Sequence, residues 1–411
     1  MSTSRVKNVP VSKPPIPAQI KVIIVAAFVI ALGFGIIAPI LPQFASSFDV
    51  GPAAAAAIVS IFALFRLLFA PVSGRLTERW GEPATYVVGV SIVAISTILC
   101  GFAASYGHLM VFRAFGGIGS TMFTVSAMAL ISRLSPEEIR GRIAGLYSAT
   151  FLIGNIAGPV LGAALAGFGY RLAFFIYGGA LIIAAATVFV FLQGVGKRRV
   201  KRTADTRPVM KLEEAWAVPA FRASVVAGFA HGWNNFGVRV AIVPLFAATA
   251  FIHGDAIAGF ALAIFAAGNA LALTVSGKLS DTYGRKLPIM WGLSVGALAM
   301  IAMGYVTNEV VFIVLCAIAG VGTGIMNPSL MASVADTVGN GRNGGRVMAT
   351  FQMSQDLGAI IGPVLVGAIA EYSNYSWGFL ITGILALIGA AAWTPVRRIS
   401  LATKAEAPAK D

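Results

Sequence analysis

Charge is what this chain has least of. Only 11% of its 411 residues are Asp, Glu, Lys or Arg, where a soluble domain carries about 25%. Acid is scarcer than base, 16 residues against 30, for a formal charge of +14. No soluble basic domain or nucleic-acid motif accompanies that excess, so no nucleic acid is expected among the partners. The two cysteines, Cys100 and Cys316, lie alone in separate apolar runs. They give neither a disulfide framework nor metal-ligand spacing, and they read as packing residues. The three histidines, His108, His231 and His253, are scattered without a neighbouring nucleophile or ligand cluster. There is no phosphate loop. No metal, cofactor or ATP hydrolysis is expected, and the chain does not read as an enzyme.

What is abundant is apolar sequence: 58% of the residues, with a mean hydropathy of +0.85. The run 22–41 has about the ~20 residues that a spanning helix needs. It is too long for a signal-peptide core, and no small-residue cleavage site follows it directly. Further runs cover 52–74, 85–104, 108–132, 142–167 and 171–192, and then 221–248, 255–277, 287–305, 309–335, 347–370 and 376–394. The pattern predicts an all-α polytopic membrane protein with twelve spans, six and six.

The domain reading follows. Residues 1–19 are a polar, Pro-rich disordered tail; 20–192 and 221–396 are six-helix bundles; 193–220 is a basic linker; 397–411 is a second tail. With the N-terminus placed in the cytoplasm, 26 of the 30 basic residues fall in cytoplasmic segments and one, Arg171, falls outside. Arg66, Arg113 and Arg239 lie within spans. That bias predicts both termini and the linker inside the cell, in a plasma or inner membrane. The linker's basic run reads as a solvated segment beside anionic lipid headgroups.

The halves repeat. Gly-Lys-Leu-Ser-Asp-Thr-Tyr-Gly-Arg-Lys occupies 277–286, with Gly277, Asp281, Gly284 and Arg285 at its key positions. A weaker copy, Gly-Arg-Leu-Thr-Glu-Arg-Trp-Gly, starts at Gly74, 203 residues earlier (277 − 74). Each sits between two apolar runs, where glycines allow a tight turn between helices. Residues 113–119 correspond to 316–322 at the same offset, and Gly158-Pro159 to Gly362-Pro363 at 204. Recurrence after half a chain indicates a duplicated membrane protein.

The hairpin at 277–286 resembles the signature of the major facilitator superfamily of transporters. The first copy departs from it: Glu78 replaces Asp, and Glu82-Pro83 replace two basic residues. Gly154, Gly158, Pro159 and Gly162 in the fifth run make a smooth face for close helix packing, with a proline that can bend it. They also resemble a motif of the proton-coupled drug antiporters, the exporter branch. Gly33, Pro39 and Pro42 resemble another motif of that branch. The resemblance implies two six-helix bundles around one central site, alternating access and proton-coupled efflux.

Polar groups inside the spans are the candidate machinery, because each is costly in a bilayer. Arg113 matches the family's helix-4 arginine, which the resemblance ties to proton coupling; the alternative is a structural arginine on backbone carbonyls. His231, Asn235 and Arg239 recur every four residues, with Trp233 and Asn234 alongside, and are expected to line the central cavity. The alternative has Arg239 snorkelling and His231 in packing. Gln352, Gln355 and Asp356 lie in the eleventh run, where Asp356 is the one carboxylate deep in a span. Asn155 and Gln352 join the substrate-binding candidates. Asp336 is expected to partner Arg285 or Lys286; its N-half counterpart is Arg133. Asp281 is expected to pair with a basic group or to cap the eleventh helix.

Arg66 and Asp356 lie at similar depths, roughly 12 and 16 Å from the inner ends of their helices. The resemblance places those helices side by side. An ion pair that couples proton uptake to opening is the expectation; a static polar contact is the alternative. Three intramembrane arginines against one deep acid favour a neutral or anionic amphipathic substrate over an organic cation. The expected protein is a monomer, exchanging a small molecule for protons among membrane lipids. A dedicated exporter or flippase of a sugar or lipid-linked metabolite, and a membrane enzyme or sensor on the same scaffold, are the competing readings.

Overall fold

A computed structural model describes residues 15–136, 139–192, 208–339, 342 and 344–396. All regular elements among them are helical. The N-terminal half comprises α1 (Ala18–Ser46), α2 (Pro52–Trp80), α3 (Glu82–Gly101), α4 (Tyr106–Leu134), α5 (Arg140–Ala166) and α6 (Tyr170–Leu192). A short α7 (Leu212–Ala217) leads to the seventh span. That span is continuous but changes pitch: α8 (Pro219–His231), a π-helical segment (Gly232–Val238) and α9 (Arg239–Ala250). Then come α10 (Gly254–Tyr283), α11 (Lys286–Met303), α12 (Glu309–Val338), α13 (Gly345–Tyr372) and α14 (Tyr375–Ala391). Ten of these helices are long and apolar enough to cross a membrane unaided. The seventh span is divided by its π segment, and α14 is apolar but shorter. The fold is that of an all-α membrane protein with twelve spans in two pseudo-symmetric bundles.

Local chemistry sets the ends. Ser105 caps α4 by accepting from the His108 N–H at 3.3 Å, and Asn308, 203 residues on, caps α12 by accepting from Val310 and Val311. Such side chains satisfy helix N–H groups that have no partner within the helix. At the two hairpins, Gly81 (φ 86°) and Gly284 (φ 77°) turn the chain through the left-handed region that favours glycine.

The N-terminal half packs α1 on α5, α2 and α3 on α4, and α6 on α1 and α3; the C-terminal half packs α12 between α10 and α11, and α13 against α8 and the π segment. The halves meet through α1 with α9, α2 with α13, and α5 with α10. Their contacts at the end opposite the hairpins are direct. The Ala53 N–H donates to Glu371 Oε2 at 3.2 Å, and Gly259 lies against Pro159 and Ala163. Ala38, Val240 and Leu262 form a small buried cluster there, with Val59 packed on it.

Two expected boundaries move. The first helix starts at Ala18, inside the stretch read as a tail, while residues 1–14 lie outside the described residues, as do 397–411. The linker read as 193–220 is part of the C-terminal half from Met210 onward: Met210 and Ala215 are buried with Phe221, Ile289 and Trp393. Glu213 and Glu214 open α7, where acid is favoured, and Glu214 pairs with Arg342. The basic run at 197–202 lies outside the described residues.

Candidate functional site

The fifth span provides the closest helix contact to the first. A Cβ on Gly154, Gly158 or Gly162 would meet the backbone of Ala31, Leu32, Gly35 or Ile36. This face is therefore a backbone-to-backbone seam, with Pro159 beside Gly35. Asn155 points off the seam. It is exposed and donates to the Phe151 carbonyl of its own helix at 2.9 Å.

Arg113, in α4, lays its guanidinium over the Phe62 ring of α2, with Cζ 4.4 Å from the centroid. Its Nε is buried and has no hydrogen-bond partner among the described residues. Cys100 of α3 and Tyr177 of α6 lie close enough to act on it electrostatically. A ring face is attractive to a cation but does not satisfy its N–H groups.

The seventh span places the other cluster. The Nε of Arg239 donates to the Asn235 carbonyl at 3.0 Å and to its Oδ1 at 2.9 Å. Its Cζ stands 4.5 Å from the Phe265 ring centroid. The wider π turn leaves carbonyls without their usual helical donors, and Asn235 is one that Arg239 uses. Gly232 and Gly237 let this segment lie against Gln355 and Pro363 of α13. The expectation that the whole stripe lines a cavity is corrected in part. His231 and Asn235 are buried, with the His231 ring edge-on to Phe236. Trp233 turns into its own half and donates from Nε1 to Thr382 Oγ1 of α14 at 3.2 Å, because that hydroxyl is its partner in an apolar setting. Asn234 is half-buried.

On α13, Gln352 Nε2 donates to Asp356 Oδ1 at 3.2 Å. Gln355 is buried, and its Nε2 has no partner among the described residues. Arg66 stands across the α2–α13 contact, close enough to act on Asp356 electrostatically. The expected direct ion pair is not formed here: no nitrogen of Arg66 lies within the 4.0 Å of a salt bridge, and the Asp356 carboxylate is held by Gln352 instead.

At the second hairpin Arg285 joins three partners: Asp336 at 3.1 Å, Asp281 at 3.1 Å and Ser280 at 2.6 Å. Asp281 therefore pairs within its own hairpin, and α13 starts after Gly344 with no side-chain cap. Lys286 donates to the carbonyls of Thr394 and Val396. A Cβ on Gly74 or Gly277 would meet nothing within 4 Å.

The first hairpin holds what the sequence reading missed. Arg133 Nη1 meets Glu82 Oε2 at 2.9 Å. Glu82 and Arg285 are 203 residues apart, and so are Arg133 and Asp336. The two departures of the N-terminal copy are thus one exchange: the same pair with its charges reversed. The offset alone was signal enough to find it. Phe62 and Phe265, also 203 apart, were missed for a different reason, since nothing marks one phenylalanine among 27.

The sequence profile of the Major Facilitator Superfamily matches residues 23–238 and again 224–410. Multidrug resistance protein 2 of Bacillus subtilis (strain 168) is 25% identical over 381 residues, covering 88% of this chain and 91% of its own length. The class H tetracycline resistance protein of Pasteurella multocida is 24% identical, over 90% of this chain and 93% of its own. Among solved structures, a bacterial homologue of the human lysosomal transporter Spinster, inward-facing and unoccupied, superposes with a TM-score of 0.77 at 18% identity, over 93% of this chain and 97% of that one. With one profile matched in each half and the repeated hairpins at the two corresponding turns, the chain belongs to the Major Facilitator Superfamily of membrane transporters.

Proposed function

We propose that this transporter is an exporter that exchanges a neutral or anionic amphipathic compound for protons by alternating access. The observation that carries the coupling is Asp356, the one carboxylate deep in a span, facing Arg66 across the contact between the halves. In direct contact, Arg66 would balance the carboxylate as an anion. When the helices part it is cheaper neutral, and the difference is a proton taken up. Relatives named for multidrug and tetracycline resistance support the direction, outward. The contacts at the end away from the hairpins, and the open space at Gly74 and Gly277, support an arrangement open toward the hairpin side. By the distribution of Lys and Arg, that side, both termini and the linker face the cytoplasm, and the membrane is the cell's own. The working unit is a monomer, with no role for nucleic acid and no catalytic step.

The test uses proteoliposomes with an imposed proton gradient and a labelled panel of neutral and anionic amphipaths. Asp356→Asn should lose gradient-driven accumulation and keep binding and exchange. If that variant still concentrates its substrate, Asp356 is not the coupling acid.

A further inference from the structure

The acid at the end of α13 serves a helix other than its own. Glu371 lies in the last turn of α13, at a helix end that carries partial negative charge and disfavours a carboxylate. That carboxylate meets the start of α2 instead. The Ala53 N–H donates to Oε2 at 3.2 Å, and a Cβ on Gly51 would lie against both carboxylate oxygens. The start of α2 has little else to use: Gly51 has no side chain to cap with, and Pro52 has no N–H to offer. α13 is shaped for the approach. Gly367 stands one turn before Glu371 on the same face, and a Cβ there would meet Ala53 and the Pro52 carbonyl.

Two further facts single this contact out. No Lys, Arg or His among the described residues forms an ion pair with Glu371, so the positive end of α2 is what balances it. Among hydrogen bonds between described residues, this is the one that joins the two halves. The other side of the repeat lacks it. There α5 meets α10 through Pro159, Ala163 and Gly259, and the residue 204 places before Glu371 is Gly167. The cluster of Ala38, Val240 and Leu262, with Val59, is apolar. Apolar attraction is non-directional, whereas a carboxylate at a helix end acts only within about a turn of it. Of these contacts, the one at Glu371 is the one that parting helices would switch off at once.

We propose that Glu371 is the latch of the side away from the hairpins: a helix cap supplied by the opposite half, made when that side is closed and broken when it opens. On opening, the carboxylate is left at the negative end of its own helix and α2 loses its cap, so the contact biases the cycle toward the arrangement described above. This rests on the transporter reading, in which that side opens in the alternate state.

Spin-label distances in the purified full-length protein test it. Ala104 and Thr307, 203 residues apart, are exposed in loops at that end of the two halves. Cys100 and Cys316 are buried, so Ala104→Cys with Thr307→Cys gives one labelled pair. Arg79→Cys with Thr282→Cys gives a second pair at the hairpin end. Double electron–electron resonance then reads the ratio of open to closed distances. Glu371→Gln should raise that ratio for the first pair about two- to fivefold, as expected for losing a charge at a helix end. Glu371→Lys should raise it further, with the hairpin pair closing in step, and Glu371→Asp should keep part of the native bias. Gly51→Asp in the Gln background separates a latch from a mere cap. It gives α2 an acid of its own, so it should recover the thermal unfolding midpoint without recovering the native distance ratio. A first-pair ratio unchanged in both the Gln and Lys variants, or returned to native by Gly51→Asp, would overturn the latch. Gradient-driven transport with a first pair indifferent to position 371 would leave the exporter standing and remove the latch. A first pair that responds to position 371, in a protein that transports nothing against a gradient, would keep the latch and remove the exporter.

Discussion

Transplanting charge between the two hairpins should reveal what each pair contributes. Glu82 lies in the first turn of α3 and Arg133 in the last turn of α4. Acid thus sits at a positive helix end and base at a negative one. The C-terminal pair is reversed: Arg285 precedes the first turn of α11, and Asp336 lies in the last turn of α12. Glu82→Arg with Arg133→Asp would give the N-terminal hairpin the C-terminal arrangement. The Glu82–Arg133 side chains are 2.9 Å apart and 23% and 20% exposed. That places them between exposed pairs, worth about 0.2–1 kcal/mol, and buried ones, so about 1–2 kcal/mol of attraction is at stake. Each charge also gains about 0.3–1 kcal/mol from its helix end, and reversing both costs roughly 1–3 kcal/mol. Either substitution alone loses the attraction, adds like-charge repulsion and reverses one helix term, for about 2–3 kcal/mol. The double variant regains the attraction and should fall below the native protein by only about 1–3 kcal/mol, the helix terms remaining unfavourable. Apparent unfolding midpoints in detergent, taken at one scan rate, give the comparison. A double variant as unstable as the sum of the singles would mean that the two residues do not pair. One fully as stable as the native protein would refute the helix-end argument.

The remaining expectations are simpler. Gly162→Ala would drive its Cβ into the Ile36 carbonyl and force α1 from α5, at a cost of about 1–3 kcal/mol in apparent stability; Gly179→Ala, with nothing within 4 Å, serves as the control and should be neutral or slightly stabilising. Cys100 and Cys316 are both buried, so a single cysteine placed at Thr203 should react with an impermeant maleimide only after cells are opened, and labelling in intact cells would invert the topology.

The fold was legible because its determinants are long-range in length and short-range in chemistry. Apolar runs of about twenty residues, the caps at Ser105 and Asn308, and the turn glycines Gly81 and Gly284 all act within a few residues of sequence. The seventh span was legible as a span but not as a π segment. A change of pitch there depends on Gly232 and Gly237 meeting Gln355 and Pro363, which are more than a hundred residues away. Trp233 misled for a related reason. Its place in a polar stripe suggested a ligand-facing ring, and only the tertiary fold reveals Thr382 waiting on α14. Arg66 and Asp356 were matched in depth by counting residues, but depth does not fix whether two side chains touch, and Gln352 on the same helix reaches the acid first.

What the duplication kept and what it exchanged follow one physical rule. Gly89 packs on Gly119 and Phe123 as Gly292 does on Gly322 and Met326, all at an offset of 203. Gly178 meets Ile98 and Ala94 as Gly383 meets Ile301 and Ala297, the offset having grown to 205 for the glycine alone. At Gly89 and Gly292 the partner's backbone stands nearest the place of the missing Cβ, and at Gly178 and Gly383 the side chains of Ile98 and Ile301 do. Glycine is therefore retained at these close helix crossings. A charge pair has no such constraint. Its attraction survives if both members change sign together, so Glu82–Arg133 and Arg285–Asp336 satisfy the same geometry with opposite signs. A cation on a ring is freer still, since only its position matters, and α4 supplies it in one half while the seventh span supplies it in the other. The packing fixes the frame of the repeat, and the charges within that frame are where the two halves differ.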